Sequence, residues 1–540
     1  LRLGYGWGNF RQDSIAGLTV AIVALPLAMA LAIASGTTPD KGLITAIVAG
    51  FLISALGGSR FSIGRPTGAF VVVVYGVIDK FGYDGLLIAT FMAGVLLIIA
   101  GLMKLGTWIK YIPEPVVTGF TSGIAVIIFS SQVKDFFGLS LDKVPADFID
   151  QWRAYAQQLG GIHPQVLMVS CGALILILLL RRYAPKQPGF LYAVAASALV
   201  VWLFNLPVAT VGSRFGAISA SLPVPHLPSV SWLQMKMLLP SAFTLAFLAG
   251  VESLLCAMVA DGMTGRRHRS NCELVAQGIA NLASPLFGGL PATGAIARTA
   301  TNIRAGAFSP VAGMMHAVFL LVFMVLLGPL IAFVPLASLA AVLFMVAWNM
   351  SEQERFRHLL RAPLGDRVVL LLTFGLTVLV DLTVAIEVGV VLAAMLFMHR
   401  MAEAAAIQTH QSLIETDQDD FSHETSSTDP RASIPNDVQL LEMRGPFFFG
   451  VASRLSEVLD RIGKSPRLFI LQMHDVPLID VTGISAIKEL LKRCERDHTQ
   501  VILCELQPSV RESLQQMGLL NDCRLKTCDT LAQALQNVDA

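Results

Sequence analysis

"GGSRFSIGRPTGAF" (Gly57–Phe70) and "GGLPATGAIART" (Gly288–Thr299) are two versions of one phrase. Each runs Gly-Gly, then a proline, then Thr-Gly-Ala, and each follows an apolar stretch and opens a short Gly-rich one. Matching interruptions in the two halves of an apolar chain are the sequence sign of a transporter site built from broken helices. The chemistry lies in the backbone. A helix that begins inside a membrane has amide N–H groups without partners and the positive end of its dipole exposed. Two such ends facing each other make an anion site. Glycine and alanine keep the approach clear, and proline suits a first helical turn.

Two charges fall in this apolar setting. Arg298 interrupts "ATGAIARTATNIRAG" (Ala292–Gly306) and is expected in the first turn of the second half-helix. A charge at bilayer depth costs at least ~2.5–3.5 kcal/mol, so it needs a partner or water. It is read as a contributor to the anion site, with a structural pair to Glu252 as the alternative. Glu252, in "FLAGVESLLCAMVADGMTG", sits near the middle of its span, with Cys256 and Leu248 on the same face. Burial penalises the charged form of a carboxylate, which makes Glu252 a candidate proton carrier. The alternative is a buried ion pair that holds the fold. Asp381 and Glu387, at a span junction, are expected to be structural, and Arg65, next to Pro66, is expected at the cytoplasmic surface.

Composition sets the class. Of the 540 residues 54% are hydrophobic and 14% charged, with a mean hydropathy of +0.65, too apolar for a soluble chain of this length. Apolar runs recur from Ile15 to Arg400, enough for about 14 spans of ~17–25 residues, some of them short. Alternate loops gather Arg60, Lys104, Arg181, Arg182, Arg266, Arg267, Arg269, Arg304, Arg355, Arg361 and Arg400. That bias places both termini in the cytoplasm. A net charge of +1 gives no footprint for nucleic acid. The seven cysteines show no metal-ligand spacing and read as free thiols on a reducing side. No cleavable signal is evident.

The tail differs. Residues 406–436 read as a polar, acidic linker. From 437 to 540, "VQLLEMRG", "FFFGV", "RLFILQM" and "QVILCEL" read as strands among amphipathic helices, which argues a small α/β domain. It carries no Walker motif, GxGxxG or metal spacing, so no catalysis is expected there.

With these segments in view the chain resembles the SulP anion transporters, bacterial relatives of human solute carrier family 26, and its tail resembles their STAS domain. "LTVAIVALPLAMALAIASG", "GGSRFSIGRPTGAFVVVVYG", "ESLLCAMVADGMTG", "GAIARTATNIRAG" and "LFMVAWNMSE" carry the resemblance in combination. The ESLLC and AIAR stretches are most similar to the C4-dicarboxylic-acid uptake system of enteric bacteria. The resemblance implies a polytopic α-helical membrane protein over residues 1–405, a seven-plus-seven inverted repeat of the UraA-like type. A core of spans 1–4 and 8–11 would move against a gate of spans 5–7 and 12–14. By motif, the anion contacts fall on Thr67, Gly68 and Ala69 and on Gly294, Ala295, Ile296 and Ala297, with Arg298 beside them. Glu252 and Cys256 stand where a sodium-coupled bicarbonate member has aspartate and threonine. A thiol is a poor ligand for a hard cation, which favours proton over sodium coupling. Leu27 and Leu31 replace glutamine and phenylalanine of some animal members. Thr482 matches the phosphorylatable serine of related anti-sigma-factor antagonists; helix capping is the simpler role.

The reading is a secondary anion transporter of the bacterial inner membrane, not an enzyme and without cofactors. It would work by elevator-type alternating access and take up a small anion, a C4-dicarboxylate first, by proton symport. Sulfate or bicarbonate transport is the alternative. A STAS-linked membrane sensor predicts binding without flux, and an anion channel predicts currents set by potential alone. The partners implied are the anion, the lipid bilayer, a second copy in a homodimer and a cytosolic partner of the STAS domain.

Overall fold

The computed structural model describes residues 5–107, 113–141, 144–145, 147–185, 187–216, 221–226, 232–380, 382–404, 406–409, 437–448, 466–496 and 498–536. The chain divides into two units, Leu1–Ala393 and Ala394–Ala540. Asp381, linker residues 410–436 and the tail helix expected over 452–463 lie outside the described residues.

The first unit is helical: α1 (Trp7–Ala34), α2 (Pro39–Leu56), α3 (Gly68–Leu102), α4 (Glu114–Phe137), α5 (Phe148–Gln157), α6 (Pro164–Tyr183), α7 (Gly189–Leu203) and α8 (Val211–Phe215). The second half runs α9 (Trp232–Thr264), α10 (Ser270–Leu286), α11 (Ile296–Arg304), α12 (Val311–Ile331), α13 (Leu336–Met350), α14 (Gln353–Leu359), α15 (Leu364–Leu379) and α16 (Leu382–Ala404). Among the described residues, eight helices are long and apolar enough to cross a membrane. The other stretches read as spans also lie on helices, but shorter ones. The third and fourth expected spans form one helix, α3, kinked at Gly82 (φ 73°, ψ 178°). Only glycine adopts that conformation readily, so the break needs no loop. Helix α9 starts at Trp232 rather than near Ser241, running through Pro240.

Close packing of small residues holds these helices together. A Cβ on Gly94 of α3 would lie 2.8 Å from the Gly278 carbonyl of α10, and one on Gly278 would lie 2.7 Å from the Gly94 carbonyl. Apolar helices in lipid associate through van der Waals contact and buried polar bonds, and glycine pairs allow backbone against backbone. Helix α10 also fixes both interrupted segments. Its fully buried Glu273 accepts the Ser59 N–H at 3.0 Å. Its Asn281 accepts the Ala292 N–H at 2.9 Å and donates to the Ala292 carbonyl at 2.8 Å. The loop carbonyls and amides that no helix satisfies are thus paired inside the core.

The interrupted segments themselves form a two-stranded ribbon. Strand β1 (Gly64–Arg65) pairs antiparallel with β2 (Thr293–Gly294), Gly64 opposite Gly294 and Arg65 opposite Thr293. Because the strands run in opposite directions, the helices they feed, α3 and α11, leave the ribbon in opposite directions.

The second unit carries a five-stranded sheet in the order β3-β4-β5-β6-β7. The strands are β3 (Ala406–Thr409), β4 (Val438–Arg444), β5 (Leu468–Asp475), β6 (Gln500–Cys504) and β7 (Leu525–Cys528). Strand β3 is antiparallel to β4 and the others are parallel. Helices α17 (Val481–Arg496), α18 (Pro508–Gln516) and α19 (Leu531–Gln536) cover it. Alternate strand residues feed opposite faces: Leu441, Leu471 and Leu503 join Ile487 and Leu514, while Leu440, Ile470 and Ile502 join Leu531.

Three tail expectations change. Residues 406–409, read as the start of the linker, add an edge strand to the sheet. Of "FFFGV", the described Phe447 makes an isolated bridge to Ile479 rather than a ladder. Thr482 does not cap α17: Asp480, the residue before the helix, accepts the Gly483 N–H at 2.7 Å, and Thr482 is exposed.

Candidate functional site

Helices α3 and α11 begin on either side of the β1–β2 ribbon. Further bonds lock the two copies together. The Ala295 N–H donates to the Ile63 carbonyl at 2.9 Å, the Ile63 N–H to Thr299 Oγ1 at 3.1 Å, and Asn302 Nδ2 to the Phe61 carbonyl at 3.1 Å. Thr67 is the N-cap of α3 and Ala295 that of α11, and neither side chain caps its helix. The first amides of α3 (Gly68, Ala69) and of α11 (Ile296, Ala297) therefore have no helical acceptor. Thr67, Gly68 and Ala69 are buried; Ile296 is partly open and Ala297 exposed. Pro66 and Pro291 both lie ahead of the N-caps, not in the first helical turn as the sequence pattern suggested.

Helix α9 spans the meeting point on one face. The Ala249 carbonyl accepts the Thr293 hydroxyl at 3.0 Å. Glu252 Oε2 accepts the Thr67 hydroxyl at 2.8 Å, and the Cys256 thiol donates to Thr299 Oγ1 at 3.1 Å. These positions, three and four apart, share a helix face. A Cβ on Gly294 would sit 3.4 Å from Cys256, so glycine permits α9 to lie against β2. On the other side, a Cβ on Gly68 would lie 2.5 Å from Met350 Sδ of α13 and 3.2 Å from Ile128 of α4. The half-helix end is thus bounded by α9 behind and α4 and α13 in front. Leu27 and Leu31 of α1 are buried in the same apolar cluster.

The arginines differ from their expected arrangement. Arg298 occupies the first turn of α11 as expected and is 4% exposed. Its partner is the Val23 carbonyl of α1, accepting from Nη2 at 3.2 Å next to the turn that Pro26 loosens, and not Glu252. The guanidinium that acts on Glu252 is that of Arg65. Arg65 lies on β1 and is 7% exposed, not at a surface. Pairing of β1 with β2 carries it inward, and nothing in the local sequence reports a partner more than two hundred residues away. His316 of α12, fully buried, is a second group that sequence reasoning missed; it stands in the field of Arg298 and Arg65. Thr67, Gly68, Ala69, Gly294, Ala295, Ile296, Ala297, Arg298, Glu252 and Cys256 thus gather around one ribbon, while Thr482 belongs to the other unit.

An array of half-helix amides, two guanidiniums and one carboxylate can bind an anion and exchange a proton. Comparison with known proteins agrees with that chemistry. Residues 10–373 match the sulfate permease family and residues 429–534 the STAS domain. A Bacillus subtilis protein named "Putative sulfate transporter YvdB" is 42% identical, covering 96% of this chain and 96% of the relative. The bicarbonate transporter BicA of a Picosynechococcus strain is 31% identical over 95% of this chain and 91% of its own. Murine solute carrier 26 family member A9, an anion transporter solved in the inward-facing state, shares the fold: TM-score 0.88 at 18% identity, covering 100% of this chain and 93% of that one. These relatives are named for sulfate and bicarbonate, so they support the alternative substrates above the expected C4-dicarboxylate. The chain belongs to the sulfate permease (SulP) family and is a multi-pass membrane anion transporter with a STAS domain, not an enzyme.

Proposed function

We propose that the protein takes up a small oxyanion, sulfate first and bicarbonate second, by proton symport with alternating access. The observation that carries this reading is the pairing of β1 with β2, which sets the free amides of α3 and α11 beside Arg298. Anion, amides and guanidinium form charge-assisted hydrogen bonds, the strong kind. The amides are shared by every oxyanion, so the substrate order rests on the relatives' names rather than on side-chain chemistry. Glu252 carries the coupling proton. It is bonded to the N-cap of α3, so its ionisation is felt at one wall of the anion site, and it is partly accessible, so it can exchange protons. Sodium coupling is less suited, because Cys256 offers a soft thiol already donated to Thr299. The loop charges favour both termini on the cytoplasmic side of a bacterial inner membrane.

Glu252→Gln in proteoliposomes tests the coupling. Uptake of labelled sulfate by the variant is expected to lose its response to an imposed pH gradient. Uptake still driven by that gradient with an unchanged pH profile contradicts the assignment.

A further inference from the structure

The site described above holds more positive charge than its own carboxylate balances. Arg65 and Arg298 are both more than nine-tenths buried. Arg65 Nε and Nη1 and Arg298 Nε have no hydrogen-bond partner. Arg65 acts on Arg298 as well as on Glu252, so the three groups share one electrostatic neighbourhood. Other titratable groups near Glu252 are Cys256 on its own helix, Glu273 of α10 acting through Cys256, and His316 of α12 acting through the arginines. Both ring nitrogens of His316 also lack partners. Buried guanidinium N–H groups without acceptors call for an acceptor that the protein does not supply.

We propose that Arg65 is a second anion-binding arginine, and that the arginine pair selects a dianion taken up together with one proton on Glu252. The inference rests on the reading of Glu252 as proton carrier. With Glu252 ionised, two guanidiniums and one carboxylate leave one net positive charge, His316 being counted neutral. Protonation raises this to two, which a dianion such as sulfate cancels. The loaded site is then neutral, the form that crosses a low-dielectric layer at least cost. The proton taken up outside leaves Glu252 inside, the dianion leaves with it, and the site returns with one positive charge. Each cycle therefore moves one negative charge inward. A monovalent anion would leave the loaded site charged. Removal of Arg65 reverses the preference: the protonated site then carries one positive charge, is neutralised by a monoanion, and returns uncharged.

The test uses the full chain in proteoliposomes, with labelled sulfate and bicarbonate, an imposed inward proton gradient and a potassium–valinomycin potential. The wild type is expected to prefer sulfate and to run faster with the interior positive. Arg65→Gln should lose at least about thirtyfold in sulfate uptake, as removal of one partner of a buried charge pair does. It should keep bicarbonate uptake and lose its response to potential. Arg65→Lys, which restores the charge, should recover most of the sulfate uptake. A wild type that prefers bicarbonate overturns the dianion assignment. An unchanged sulfate-to-bicarbonate ratio in Arg65→Gln overturns the role of Arg65. If Arg65→Gln carries neither anion, Arg65→Lys decides: recovery of sulfate uptake supports the proposal and equal loss overturns it. A wild type that carries neither anion under a proton gradient ends the symport reading, and this inference with it.

Discussion

Thr299→Val removes one oxygen from the joint between the two repeats and nearly preserves shape. Thr299 is fully buried, and its Oγ1 accepts both the Ile63 N–H and the Cys256 thiol, each at 3.1 Å. Valine leaves both donors without an acceptor. A buried backbone amide left unsatisfied costs about 1–3 kcal/mol, and the thiol, a weak donor, adds less. That cost falls on the closed ribbon and not on an opened one where water satisfies the amide. Opening at Ile63 should therefore become about 5–150 times more frequent, at tenfold per 1.4 kcal/mol. Hydrogen–deuterium exchange on peptides covering Phe61–Arg65 reads this directly. Thr301→Val is the control: the Thr301 hydroxyl bonds only back to the Ala297 carbonyl of its own helix at 2.8 Å. Its effect should stay within about 0.5 kcal/mol. Equal exchange rates in Thr299→Val and wild type, or an equal rise in Thr301→Val, would refute the claim that this hydroxyl ties the halves together.

Three further outcomes follow from the geometry. Gly94→Val forces a side chain against the Gly278 carbonyl and Leu282 amide of α10, 2.8 and 2.9 Å from the new Cβ; thermal unfolding in detergent should show a loss of at least about 1–3 kcal/mol. Gly172→Ala, with no neighbour within 4 Å, should be neutral or slightly stabilising. In the second unit, Asp480→Ala should cost ~1 kcal/mol through loss of the α17 cap, seen as faster exchange at Gly483, whereas Thr482→Ala should leave that amide unchanged. Hydrogen bonds from the Arg524 side chain and amide hold the Asp522 carboxyl down at about 2. A carboxyl lowered in the folded state contributes stability above its unfolded value near ~3.9, lost as pH falls through the folded one. Protection of Leu519–Leu525 should therefore persist down to about pH 3 and fall below it; Arg524→Ala should move that loss to higher pH.

The half-helix starts were legible because Gly, Pro and Thr-Gly-Ala recur in both halves, and a broken helix needs such residues locally. Arg298 and Glu252 were legible as charges in apolar runs. Their pairing was not, because pairing belongs to the ribbon: Arg65 beside Pro66 looks like a loop arginine until β1 is set against β2. His316 was overlooked because one histidine in an apolar helix carries no pattern, and only the neighbouring guanidiniums give it meaning. The Gly82 kink replaces a loop because a single glycine at positive φ redirects a helix that stays apolar on both sides. Strand β3 went unread because four residues after a long helix have too little alternation to declare a strand, and their place is fixed by β4. The substrate order was also read too finely: the ESLLC and AIAR stretches line a backbone site shared by many anions, while the relatives point to sulfate and bicarbonate.

The central claim is that an anion sits between the first amides of α3 and α11. Selenate, a sulfate analogue with an anomalous scatterer, tests it in crystals of the full chain. The predicted result is one anomalous peak within hydrogen-bonding distance of the amides of Gly68 or Ala69 and of Ile296 or Ala297, lost in Arg298→Ala. A peak elsewhere in the membrane unit, with those amides facing only protein, would contradict the account.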